Sequence, residues 1–299
     1  MRVAQMTVYH NIMRNLGKNY EALSEANHRV SSGKKIYKLS DDPVGMVTVL
    51  DLRSSLQNID QLGRNIAMGR SWLDMGESAL TQIEDMIADT QTLCVEMSSA
   101  TKGSSERASA ATVVDNTLRE MLTLTNTQVN GRYIFSGTNT DVEPFFYDES
   151  GTGEVLYQGN GTAFSIKIGE DHNIAVGRNG EEVIGANWDD DNIFKTLVDL
   201  KNALSNDDVG GIQDALGNLE NHAESTRSLI ADTGSRITRM TVKKEIISDL
   251  ELAYTTRKTE LEDADMTEAI MQLEGKELAY QAALASSTKM LNLSILNFL

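Results

Sequence analysis

The sequence predicts a mainly α-helical protein with a small β-rich insert, in which the N- and C-terminal halves form a long-helix antiparallel bundle. Three observations predict it. Proline occurs only twice in 299 residues, and proline is the residue that interrupts helix interiors. Apolar residues toward both ends recur at spacings of three, four and seven, as in a helical seam. Between Arg132 and Asp191 the texture changes to aromatic and β-branched clusters punctuated by Gly, Asn and Asp.

The first helix is expected from about Met6 to Val30. Met6, Tyr9, Met13, Leu16, Tyr20, Leu23 and Val30 form its stripe, with Asn27 in the remaining seam position. So narrow a stripe on so long a helix needs a partner, because helices gain most of their stability from packing. Ser31-Ser32-Gly33 end it, and a basic, partly exposed run from Lys34 to Leu39 follows. Asp42 before Pro43 marks the next start: the carboxylate caps free N–H groups and proline fits the first helical position. That second helix is expected to reach about Thr101. Leu52, Ile59, Ile66, Leu73, Leu80, Ile87 and Cys94 recur every seven residues along it. Gly69 and Gly76 share its second stripe, where a missing side chain would let another backbone approach. A third helix is expected from about Glu106 to Val129, ended by Asn130-Gly131.

In the insert, Tyr133–Phe135, Phe145–Tyr147, Val155–Tyr157 and Phe164–Ile168 read as short strands, with Gly159-Asn160-Gly161 as a hairpin turn. Helical texture returns at Asn192. Ile193, Leu197, Leu200 and Leu204 line a short helix stopped near Gly210-Gly211, and a long helix is expected from Ile212 to Leu261. Asp263-Ala264-Asp265 break it. The last segment, 266–299, carries Ile270, Leu273, Tyr280, Leu284, Leu291 and Phe298, with Ile295 in a strongly apolar tail. The two halves mirror each other, so the first and last segments are expected to pack side by side. Their stripes are the candidate assembly interface, because an exposed apolar tail is an association surface. Three parts follow: a terminal coiled-coil assembly domain (1–42 with 266–299), a long-helix core domain (43–131 with 192–265) and a β-rich outer insert (132–191).

Composition narrows the function classes. The formal net charge of -17 disfavours nucleic acid and anionic membranes as partners, since both are bound by basic residues. One cysteine, Cys94, rules out a disulfide framework within the chain. The N-terminal residues lack the apolar core of a secretory signal peptide, and no apolar run reaches the roughly 18 residues of a membrane span. No catalytic constellation is legible. His10, His28, His172 and His222 lie in separate segments, and there is no zinc-protease motif, phosphate loop or dinucleotide fingerprint. Asp189-Asp190-Asp191 lacks the spacing of a calcium loop, and capping explains Asp41-Asp42. Neither an enzyme, a cofactor nor a metal site is expected.

Particular motifs carry a family resemblance. Val30-Ser31-Ser32-Gly33-Lys34-Lys35-Ile36 and Ser40-Asp41-Asp42-Pro43-Val44-Gly45 resemble the N-terminal signature of the bacterial flagellin superfamily. Asn130-Gly131-Arg132-Tyr133-Ile134-Phe135-Ser136-Gly137-Thr138-Asn139-Thr140, closing at Pro144-Phe145, resembles the motif entering the variable domain of the hook-associated protein 3 family. The ending Leu293-Ser294-Ile295-Leu296-Asn297-Phe298-Leu299 is similar as well. Filament flagellin is the nearest alternative, but flagellins carry an Arg-Ile-Asn lead-in where this chain has Lys35-Ile36-Tyr37, and Pro43-Val44 where they are alanine-rich. The resemblance implies a flagellin-like structural protein of the hook–filament junction. Its implied partners are the first junction protein, flagellin, its own copies in a ring, a cytoplasmic export chaperone and the flagellar type III export apparatus. It also implies an extracellular place on the bacterial flagellum, reached without a cleaved signal peptide, and terminal helices ordered by assembly.

Overall fold

Helix α1 spans Arg2–Ser32, α2 Pro43–Met97 and α3 Ser104–Thr125. Six short strands and the single-turn helix α4 (Gly180–Ile184) follow, then α5 (Ile193–Ser205), α6 (Val209–Glu262) and α7 (Met266–Leu296). This is a computed structural model, and it describes residues 2–148, 153–169, 171–185 and 192–296. The architecture is mainly helical with a few small hairpins, as the sequence predicts. The chain clusters into two units, 1–59 with 249–299 and 60–248, so α2 and α6 each contribute to both.

The helix boundaries follow from capping chemistry. Gly33 adopts φ +67°, the left-handed conformation that ends α1 without steric cost. Asp42 Oδ1 accepts from the backbone N–H of Val44 at 3.1 Å and Gly45 at 2.9 Å, directly ahead of α2. Asn192 caps α5 through Phe194 N–H, and Asp265 caps α7 through Thr267 N–H at 2.8 Å. The buried Arg107 closes the other end of α2: its Nε donates to the carbonyl of Met97 at 2.8 Å, and its guanidinium pairs with Asp207. A cation there matches the free carbonyls of a helix C-terminus.

In the unit of residues 60–248, α2 and α6 run antiparallel. Arg70 donates to Thr241 Oγ1 at 3.0 Å, and further along α2 Glu84 meets Arg227 at 2.7 Å. α3 packs against α5, with Lys201 Nζ on Asp115 at 3.0 Å. The seven-residue stripe of α2 faces the core: Ile66, Leu73, Leu80, Ile87 and Cys94 are each at most 2% exposed. Leu118, Met121, Phe194, Leu197, Leu200, Leu219 and Met240 complete it from the other helices. Burial pushes the Cys94 thiol up to about 11, the state of an inert core group.

Among the described residues three antiparallel hairpins lie at the entrance to the insert and within it: β1 (Gln128–Val129) with β2 (Arg132–Tyr133), β3 (Phe145–Tyr147) with β4 (Val155–Tyr157), and β5 (Ser165–Lys167) with β6 (Asn173–Ala175). Two sequence expectations are corrected here. α3 ends at Thr125, and Asn130-Gly131 is the turn of the first hairpin; both residues have positive φ, 52° and 77°, the conformation a two-residue hairpin demands. Gly159-Asn160-Gly161 is not a hairpin turn, because β4 pairs back to β3. The Asn160 side chain instead accepts from Thr138 N–H at 2.9 Å and donates to its hydroxyl, locking the loop at Gly137. That loop has Gly137 at φ +69°, with the Asn160 carbonyl 2.3 Å from where a Cβ would stand, so only glycine fits.

The insert is stitched to the helices by polar contacts, several of them part-buried. Arg178 Nη2 donates to the Leu229 carbonyl at 2.9 Å and pairs with Asp232 at 2.6 Å. Burial opposes ionisation of Asp232, but its bonds to Arg178 and Arg236 outweigh it and hold the carboxyl below its usual range. Asn126 forms a two-way bridge to the backbone of Phe145, and Asn65 donates to the Lys167 carbonyl. Gly69 makes room for Ile166, Met240 and Val176, side chains rather than another backbone, while a Cβ on Gly76 would meet nothing within 4 Å. The short helix α5 stops at Asn206 and not at Gly210-Gly211, which lie in the first turn of α6.

Candidate assembly interface

The other unit is built from α1, the 33–42 connector, the start of α2, the end of α6, and α7. α1 and α7 pack together in antiparallel fashion, with the rings of Tyr20 and Tyr280 6.0 Å apart and tilted by 53°. Yet this pair leaves most of its own seam uncovered. Leu16, Leu23, Val30, Leu273 and Tyr280 are half-buried. Met6, Tyr9, Met13 and Tyr20 are 47–66% exposed, and Ile270 and Leu284 are exposed as well. Leu291 and Ile295 lie on α7, but their side chains, and all of Phe298, fall outside the described residues, as does the Asp189-Asp190-Asp191 run.

The contrast between the units is large. Of 42 buried apolar residues among those described, only Ala26, Ile36, Val49, Ile59 and Ala269 belong to the first unit. Charge divides in the same way. Of 27 basic and 44 acidic residues, 12 and 14 fall in the first unit, and 15 and 30 in the second. A nearly neutral unit with little core and much exposed apolar surface is suited to association.

One polar cluster gives this unit a fixed point. Glu262, at the end of α6, has its side chain only 2% exposed and pairs with both Lys34 and Arg53. Its backbone carbonyl accepts from Lys35 N–H at 2.7 Å, and Ala264 N–H donates to the Gly33 carbonyl at 2.9 Å. The α1–α2 connector and the α6–α7 corner are thus joined at Lys34 and Asp263 in a single bridge of β type. Burial works against ionisation of Glu262, but the two cations prevail and hold the carboxyl below its ordinary range. Asp41 organises the connector itself. Its Oδ2 accepts from Lys38 N–H at 2.9 Å and Tyr37 N–H at 3.1 Å, bonds that hold its carboxyl low. The Tyr37 ring stacks on His28 of α1.

Sequence reasoning missed part of this surface. Tyr37, Leu39, Val44, Val47 and Leu50 are 52–78% exposed, and Met271, Leu278 and Met290 on α7 are more than half exposed. Val44, Val47 and Leu50 recur every third residue at the start of α2, a signal that a search for seven-residue seams passes over. Among the described residues no group of three or more His, Cys, Asp or Glu could hold a metal, and no helix is long and apolar enough to cross a membrane.

Comparison with known proteins gives a consistent likeness. Residues 3–140 match the family described as the bacterial flagellin N-terminal helical region. Along 319 aligned positions the chain is 24% identical to flagellar hook-associated protein 3 of Escherichia coli (strain K12), covering 99% of this chain and 98% of that protein. A phase 1 flagellin of Salmonella naestved is 30% identical over 126 residues, which is 42% of this chain but 25% of the flagellin. The crystal structure of flagellar hook associated protein-3 from Legionella pneumophila matches with a TM-score of 0.63 at 14% identity, covering 70% of this chain and 98% of that one. At that identity the structural match speaks for the fold alone.

Proposed function

From a chain that is similar to flagellar hook-associated protein 3 along its whole length, within the flagellin superfamily, we propose a structural component of the bacterial flagellum: an adaptor at the hook–filament junction that links the first junction protein to the flagellin filament. The observation that carries this reading is the end-to-end match to hook-associated protein 3, set against a flagellin match confined to part of the chain. On this reading the protein is exported from the cytoplasm through the flagellar type III apparatus, escorted by a chaperone, and sits outside the cell in a ring of its own copies. It does no catalysis.

The terminal helices are the assembly domain. Met6, Tyr9, Met13, Leu16, Tyr20, Leu23 and Val30 of α1, with Ile270, Leu273, Tyr280, Leu284, Leu291, Ile295 and Phe298 toward the C-terminus, are covered by neighbouring subunits. Residues 43–131 with 192–265 form the core domain and 132–191 the outer insert. The exposed apolar residues of α1 and α7 and the sparse core of their unit support this assignment.

The test is addition to isolated hooks capped with the first junction protein. The adaptor adds a layer of fixed size and stops, and flagellin grows only from hooks that carry it. The part-length flagellin match favours a second reading, filament flagellin. Continued growth of this chain alone into long filaments would establish that reading and sink the adaptor.

A further inference from the structure

One buried donor in the unit of residues 60–248 is unmet. Trp72 on α2 is 3% exposed, and its indole Nε1 has no acceptor among the described residues. An indole nitrogen can only donate, and buried donors in native structures are paired with protein or with ordered water. Trp72 lines a cavity of about 10 Å³, together with Gly76 of α2, Ile134, Phe135, Val176 and Arg178 of the insert, and Thr233 of α6. That volume is about one water molecule by the same measure. Two glycines of α2, Gly69 and Gly76, behave differently here. Gly69 is filled by its neighbours, whereas a Cβ on Gly76, one turn beyond Trp72, would enter open space. The wall also offers an acceptor. Thr233 Oγ1 donates to the Leu229 carbonyl at 2.8 Å and accepts from Arg178 Nη2 at 2.9 Å, which leaves one hydroxyl lone pair unused.

We propose that one ordered water molecule occupies this cavity, accepting from Trp72 Nε1 and donating to Thr233 Oγ1, and that Gly76 is glycine because a methyl group would displace it. The water then joins α2 to α6 in a cavity walled by the insert. This inference is independent of the flagellar reading.

Urea denaturation of the full chain tests it with G76A, W72F and the double variant. Alanine is the better helix former, so in a dry cavity G76A raises the midpoint. With the water present, G76A lowers the midpoint beside Trp72, because it strands the indole N–H, and raises it in the W72F background, where no donor is stranded. A shift of the same sign in both backgrounds overturns the proposal. A second measurement reads the water itself. Magnetisation transfer from a long-lived water to the indole proton is expected in the wild type and lost in G76A; its absence from the wild type also overturns the site.

Discussion

Glu262 shows how one side chain can hold two distant segments of sequence. Lys34 and Arg53 lie more than 200 residues away, and both reach the same carboxylate. Both cations are 39–44% exposed, so water screens the pairs and their worth is below that of a fully buried pair. Glu262→Gln is expected to destabilise the corner by about 1–2 kcal/mol, read as faster amide exchange at Lys35, Ile36 and Ala264. The pH dependence has a definite sign. The folded carboxyl titrates below its ordinary range, so its contribution is complete above the unfolded value and is lost as pH falls through the folded one. The wild type therefore loses protection at these amides in acid, while Glu262→Gln lacks that step. An equal acid response in both would place the responsible group elsewhere.

At the scale of the helices, burial separates residues that fold the chain from residues left free, on the proposed function, to join it to others. Ile87 is fully buried on α2, and Ile87→Ala is expected to cost about 2–5 kcal/mol in urea denaturation. Val47 on the same helix is 54% exposed. Val47→Ser is expected to change monomer stability by no more than about 0.5 kcal/mol while reducing addition to hook ends; unchanged addition would remove this face from the interface. The same helix shows what was legible in advance. Its seven-residue stripe was readable because one period persists over many turns, and Asp42-Pro43 because capping is local chemistry. Asn130-Gly131 was misread because a helix stop and a hairpin turn ask for the same left-handed residues. Asn160 was misread because its role depends on Thr138, 22 residues away. The exposed apolar run Val44, Val47 and Leu50 reads in sequence as an ordinary helix face, and only the burial pattern sets it apart.

Across the whole molecule, core and charge are distributed together. Among the described residues, the unit of residues 60–248 holds nearly all of the buried apolar ones, and it carries twice as many acidic as basic residues; the unit containing both ends has little core among its described residues and is almost neutral. Hydrophobic burial is the main favourable term in folding, so the second unit has what it needs to be stable by itself, and on the proposed function the first gains its missing burial from neighbouring copies. The fold class and the mirrored halves were legible in sequence from periodicity and turn residues. The division of core between the units was not, because a seam pattern states that a helix needs a partner without stating whether the chain itself supplies one. As the proposed junction adaptor this protein joins filament to hook, and a strain lacking it is the decisive test. Such a strain is expected to carry hooks without attached filaments, to shed flagellin into the medium and to regain motility when the chain is supplied again; normal attached filaments would rule the adaptor role out.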